Sequence, residues 1–265
     1  MGRFSRRDLL RTAGAAGAAA AVTHVGESRA QYAPPAYGEQ PQHAALPRQP
    51  GHPEAATASP IHNENVLFFF NQDEAKFVRA AVDRLIPADE KWGGAEAAGV
   101  LYYIDHQLAG AYGAGARMYL KGPWQPDAPY EQGYQLKYSP ADLYHVAIAE
   151  IRHYVRKQHG NKEFWDLSSD DMDKALKAIE SGEAQLSSIP SEVFFETLLA
   201  NTIEGYFCDP AYGGNRDMVS WRMIGFPGAY AQYVGLVDQF GVNYTREPLS
   251  IASSYVRMSE HKQHG

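Results

Sequence analysis

Ten histidines are spread along the 265-residue chain, and imidazole is a side chain that both ligates metals and moves protons near neutral pH. Both jobs need histidines in sets. His43, His52 and His62 fall in a proline-rich stretch, and His261 and His264 sit at the end of the chain. His145 and His153 lie on one expected helix about two turns of roughly 5.4 Å apart, too far to share an ion. Cys208 is the sole cysteine, so the chain forms no internal disulfide and supplies no thiolate set for a zinc ribbon or an iron–sulfur cluster. Ser187-Ser188 and the scattered carboxylates show no nucleophile–base spacing. Tyr212-Gly213-Gly214-Asn215-Arg216-Asp217 is a glycine-rich turn before an expected helix, the setting in which backbone N–H groups cradle phosphate. Its spacing matches neither the dinucleotide fingerprint nor the P-loop, and no parallel sheet is expected around it. No catalytic, cofactor or metal site is expected on this chain.

The elements that would position such residues are helical. Asn71 with Glu74 is a capping-box pair, and Phe77, Val78, Ala81, Val82 and Leu85 then form one apolar face before Pro87. A second helix is expected over about 95–112, with Val100, Leu101, Ile104 and Leu108 on one stripe. Residues 113–138 lack a sustained period and hold Pro123, Pro126 and Pro129 among several tyrosines, which reads as a long loop, packed on the core or built to bind. Ser139-Pro140 opens the clearest helix, with Leu143, Ala147, Ile151 and Val155 inward, Arg152, Arg156, Lys157 and His159 suited to its C-terminal dipole, and Gly160 as its stop. Ser168 or Ser169 caps a helix with Met172, Leu176 and Ile179 inward. Pro190-Ser191 begins another, with Val193, Phe194, Leu198 and Ile203, that ends near Gly205. Asn215 and Asp217 are placed to cap a short helix through Ile224 that buries Val219 and either Ile224 or Trp221. No alternating strand longer than four residues appears. The expected fold is all-α, a non-repeating bundle of about five to seven helices with long loops.

The N-terminus reads as an address. Arg3, Arg6 and Arg7 precede an uncharged, alanine-rich run from Thr12 to Val22, and Ser28-Arg29-Ala30 is a small-x-small pattern with cleavage expected after Ala30. The run is too weakly apolar to span a bilayer as a stable helix. Ser5-Arg6-Arg7-Asp8-Leu9-Leu10 resembles the twin-arginine export consensus, with Arg6 and Arg7 as the signal pair. Removing residues 1–30 takes away five arginines against Asp8 and Glu27, which leaves the chain near −10 instead of −7. Such acidity excludes a nucleic-acid partner, which needs a basic face. Residues 31–65 form a linker rich in Pro, Gln and His that cannot bury enough apolar area to offset its chain entropy. The helical domain is expected over 66–245 and a C-terminal tail over 246–265. Twin-arginine export moves folded cargo, often with a cofactor, yet no cofactor motif is found here. That mismatch hints that the chain escorts another protein.

Residues 204–230 sharpen the hint. Asp209-Pro210, Tyr212-Gly213-Gly214-Asn215-Arg216-Asp217, Trp221 and Gly225-Phe226-Pro227-Gly228 closely resemble the signature of the gluconate 2-dehydrogenase subunit 3 family. Leu85-Ile86-Pro87 with Asp89 and the twin-arginine leader resemble it as well, so the likeness covers roughly residues 66–232. The resemblance implies a non-catalytic small (gamma) subunit of a periplasmic, flavin-dependent sugar or sugar-acid dehydrogenase. FAD would sit on a flavoprotein large subunit and haem c on a multihaem cytochrome subunit. The small subunit would assist maturation and export of the large one, reaching the inner membrane only through the complex. Physically, adjacent glycines permit positive φ or close approach of another backbone, and Asn215 tolerates similar conformations. The block is therefore expected to be a structural corner that also shapes an interface, through Cys208, Asp209, Tyr212, Gly213, Gly214, Asn215, Arg216 and Trp221. Cys208 is expected either to be buried and inert or to form an intersubunit disulfide. The rival reading is a stand-alone periplasmic enzyme or sugar-binding protein using the aromatic loop.

Overall fold

Six α-helices and four short 3-10 turns, with no β-strand, make up the described part of the chain in the computed structural model. The residues described are 65–125, 128–229, 238, 240–241 and 246–251, all within one unit spanning 62–265. The expected signal peptide, with Arg6, Arg7 and Ala30, and the linker up to residue 64 lie outside the described residues.

Helix α1 (Gln72–Leu85) begins as its sequence predicts: Asn71 Oδ1 accepts from the N–H groups of Asp73 and Glu74, and Glu74 reaches back to the Asn71 N–H. This satisfies donors that a helix start otherwise leaves orphaned. Helix α2 (Val100–Ala109) keeps the whole expected stripe but is shorter at both ends than the expected span of about 95–112. Its N-cap, Gly99, has a φ of +77°, and residues 95–99 are turns because the Arg216 backbone N–H hydrogen-bonds to the Ala98 carbonyl at 3.0 Å. Helix α3 (Pro140–Gln158) opens on a Ser139–Asp142 capping box with proline in its first turn. Helix α4 (Ser169–Glu180) is capped by Ser168. Helix α5 (Ser191–Phe207) runs two residues past Gly205. Gly205 is a crossing point and not a stop, since a Cβ there would lie 2.7 Å from the Tyr103 ring of α2. Helix α6 (Val219–Ile224) is a single short stretch that follows the glycine turn.

The core forms where α1, α2, α3 and α5 meet. Phe77, Val78, Ile104, Leu143, Tyr144, Ile151, Phe164, Phe194 and Leu198 are all fully buried there. Aromatic rings knit it together, Phe77 to Phe164 at 5.1 Å and Tyr144 edge-on to Phe194 at 5.3 Å. Each such side chain contributes about 1.5–3 kcal/mol of burial, which is what commits the helices to one packing. The Tyr144 hydroxyl, inside this cluster, has no hydrogen-bond partner among the described residues.

Two features that the sequence reading did not contain concern charge. Arg156 and Lys157 lie in the last turn of α3 as expected, but the guanidiniums of Arg152 and Arg156 are directed to Glu163, and Arg152 also reaches Asp73 at 2.8 Å. A carboxylate offers these guanidiniums a stronger, partly bidentate partner than the last helix carbonyls. At the other end of the core, the buried Asp105 carboxylate accepts from three consecutive backbone N–H groups, Phe68 at 2.6 Å, Phe69 at 3.1 Å and Phe70 at 2.8 Å. This nest fastens the segment that leads the chain into α1.

Candidate functional site

The glycine-rich block forms a corner at the end of α5, and each member has a distinct mechanical task. Asn215 is wholly buried with a φ of +45°, a conformation asparagine tolerates better than most residues. Its Nδ2 donates to the Cys208 carbonyl at 2.9 Å, while its Oδ1 accepts from the Ser220 N–H at 3.0 Å and hydroxyl at 2.8 Å. One carboxamide therefore ties the end of α5 to the first turn of α6. The two glycines divide the work that the sequence left open between them. Gly213 carries the positive φ, +96°. Gly214 is needed for space, because a Cβ there would run into the Gly205 carbonyl and lie 2.9 Å from Cys208 Sγ.

Asp209 is the second hub. Its buried carboxylate accepts from the Ala211 N–H at 2.9 Å, the Ser250 hydroxyl at 2.7 Å and the Ile251 N–H at 2.8 Å. Leu249 joins the same place through a short parallel bridge to Gly228. The first residues of the segment expected as a tail are thus packed into the corner, with Leu249 and Ser250 buried. Trp221 is buried, donates Nε1–H to the Phe207 carbonyl at 2.8 Å and meets Phe226 edge-on at 5.1 Å. It is the Trp221 alternative that is realised: Ile224 is exposed and Val219 only half-buried, because six helical residues present one narrow face to the corner.

Arg216 connects the corner outward. Its guanidinium lies 4.7 Å over the Tyr102 ring and hydrogen-bonds to Asn65 at 3.3 Å. Gly99 is small for this reason, since a Cβ would press on the same guanidinium. Cys208 is half-buried, with Sγ donating to the Gly205 carbonyl at 3.3 Å. Burial pushes its thiol up to about 11, so little thiolate exists near neutral pH. Of the eight residues expected at an interface, Asp209, Gly214, Asn215 and Trp221 are internal to the chain, and only Tyr212 is exposed, at 54%. Ile224, Phe226 and Ile251 are also exposed on the corner's elements.

The chemistry around the corner is that of held protons. Burial, together with Glu204, raises the Tyr103 phenol well above its ordinary value and pushes Tyr112 up to about 12. Burial also raises Glu204, partly offset by the Tyr103 hydroxyl at 3.5 Å. No cluster of three or more His, Cys, Asp or Glu side chains is placed to hold a metal among the described residues. No helix among them is long and apolar enough to cross a membrane.

The gluconate 2-dehydrogenase subunit 3 family model matches the chain over residues 72–228, from the first turn of α1 to the glycine that closes the corner. The chain belongs to this family. The family match ends at Gly228, a residue with φ of +78° where a Cβ would lie 2.8 Å from the Trp221 ring. Its signature residues thus build the chain's own corner first. Neither a curated protein nor a solved structure is similar enough to the chain to match. Family membership implies a flavin-dependent dehydrogenase complex with a flavoprotein large subunit. Residues that sequence reasoning did not single out include Asp105, Ser250 and Tyr103. Asp105 carried a readable signal as a lone acid on the apolar stripe of α2, whereas Ser250 acquires its role only through a contact 41 residues away.

Proposed function

We propose that this chain is the small subunit of a periplasmic, flavin-dependent sugar or sugar-acid dehydrogenase, and that it assists maturation and twin-arginine export of the flavoprotein large subunit. The observation that carries the reading is the family match across the whole helical bundle, from α1 to Gly228. Electrons from the flavin would pass to a multihaem cytochrome, and attachment to the inner membrane would run through that partner. The surface offered to the large subunit would centre on Tyr212 with the exposed apolar side chains of the corner. Substitution at Tyr212 leaves the buried hydrogen bonds intact and so tests docking without unfolding the chain. The export role is tested by replacing Arg6 and Arg7 with lysine in cells that also make the large subunit. Both proteins are expected to remain in the cytoplasm. A large subunit that still reaches the periplasm refutes the escort role.

A further inference from the structure

The long loop between α2 and α3 does not spend its aromatic residues on the core. Tyr119 is 77% exposed and Trp124 is only half-buried, although burying such rings is among the largest gains open to a chain. Instead they line a cavity of about 440 Å³ together with Tyr134 and the carboxamides of Gln125, Gln132 and Gln135. A volume of this order suits a small organic ligand. The loop around it is built and not slack. Gly113 and Gly115 admit backbone and Leu120 where a Cβ would collide, and the Ala141 N–H hydrogen-bonds to the Gly113 carbonyl at 3.0 Å. Gln135 accepts from the Gln125 N–H at 3.3 Å, and the Tyr134 hydroxyl donates to the Tyr138 carbonyl at 2.8 Å. The Gly122 backbone packs beside the Trp124 indole, where a Cβ would sit 3.3 Å from Nε1. Part of the ordering cost of binding is therefore already met.

The lining selects a chemistry. Among the described residues none of the eight that line it is charged, which gives a carboxylate, a phosphate or an amine nothing there to pair with. Gln135 is already engaged by the Gln125 N–H and the Gln132 carbonyl, but a wholly apolar ligand would bury the Gln125 and Gln132 carboxamides without partners. A ring with apolar C–H faces and a rim of neutral hydroxyls satisfies both halves, stacking on indole and phenol while the amides donate to and accept from its hydroxyls. We infer that this cavity is a binding site for a neutral saccharide ring, carried by this subunit itself. The inference goes beyond the complex proposed above and does not need it, because binding is read on this chain alone.

The test is calorimetric titration of the full chain with D-glucose, maltose, D-gluconate and glucose 6-phosphate. Neutral sugars are expected to bind with Kd of about 1–10 mM, the range that ligand efficiency sets for a monosaccharide-sized ligand. The two anions should bind at least about tenfold more weakly, since the cavity offers them no cation. Trp124→Ala should weaken neutral-sugar binding about tenfold or more with unchanged Tm. If that variant fails to fold, Gln132→Ala, at an exposed position, should weaken binding about threefold or more. No saturation below about 100 mM, equal affinity for gluconate and glucose, or unchanged binding in the folded variants would each overturn the proposal.

Discussion

Asn215→Ala is the sharpest perturbation the corner allows. Truncation leaves three groups without their partner: the Cys208 carbonyl, and the Ser220 N–H and hydroxyl. Ser220 is wholly buried and Cys208 half-buried, so water cannot freely replace the lost carboxamide. Stranding a buried polar group costs about 1–3 kcal/mol, and three partly relaxing groups together give about 3 kcal/mol. Alanine at a φ of +45° adds about 1 kcal/mol that asparagine largely escapes. The expected loss is therefore about 4 kcal/mol, or a fall in Tm of roughly 8–16 °C for a domain of this size. Urea unfolding of the chain lacking residues 1–30 measures it, with an unchanged m-value showing that the native and denatured states remain comparable. Asn215→Gly separates the two contributions: it relieves the φ cost but not the lost bonds, so it should recover only about 1 kcal/mol. A loss below about 1 kcal/mol for Asn215→Ala would refute the claim that this carboxamide holds the corner together.

Gly214→Ala should cost about 1–3 kcal/mol by thermal unfolding because the Gly205 carbonyl and Cys208 Sγ must move; a neutral result would mean the two segments are not held against each other. Tyr144→Phe removes a fully buried hydroxyl that lacks a protein partner and should raise stability by about 1 kcal/mol, and a loss of that size would reveal a trapped water satisfying it. Hydrogen bonds from Arg152 and then Arg156 hold the Glu163 carboxyl below its ordinary value of 4.5. The stability it contributes is complete above that value and lost as pH falls through the lowered pKa, so Glu163→Gln should flatten the fall in Tm between about pH 5 and 3. In the isolated chain, Cys208 should react with iodoacetamide at pH 8 at least about tenfold more slowly than a free cysteine, because little thiolate forms and Gly214 packs over the sulfur. An intersubunit disulfide would appear as a heavy band on a non-reducing gel that reductant splits, and its absence in the purified complex would make Cys208 a packing residue.

Helix starts were legible because they are local. Asn71–Glu74, Ser139-Pro140 and Ser168 each act within four residues, so spacing alone reveals them. The apolar faces of α1, α3 and α4 were legible for the same reason. What the sequence hid depends on partners far along the chain. Gly205 looks like a helix stop until the Tyr103 ring is found against it. The expected first turn of α2, residues 95–99, looks helical until Arg216 claims the Ala98 carbonyl. In the block, the glycine pair announced a close approach or a positive φ, but nothing in it says which glycine does which. That assignment needed the position of Gly205. Arg152 and Arg156 were read as partners of the helix dipole because Glu163, beyond the helix, is invisible to an i,i+4 count.

The fastening of residues 65–70 has a consequence in chain entropy. Their backbone nest on Asp105 spans 35–37 positions and can close once α2 exists. The Asn65–Arg216 bond spans 151 positions. The segment leading into α1 is thus held twice, by a contact of short reach and by one of very long reach, which loop-closure entropy makes the costlier of the two to form. A chain interrupted before residue 216 can make the first of these contacts but not the second, so the second is the one that requires the corner's own residues to be present.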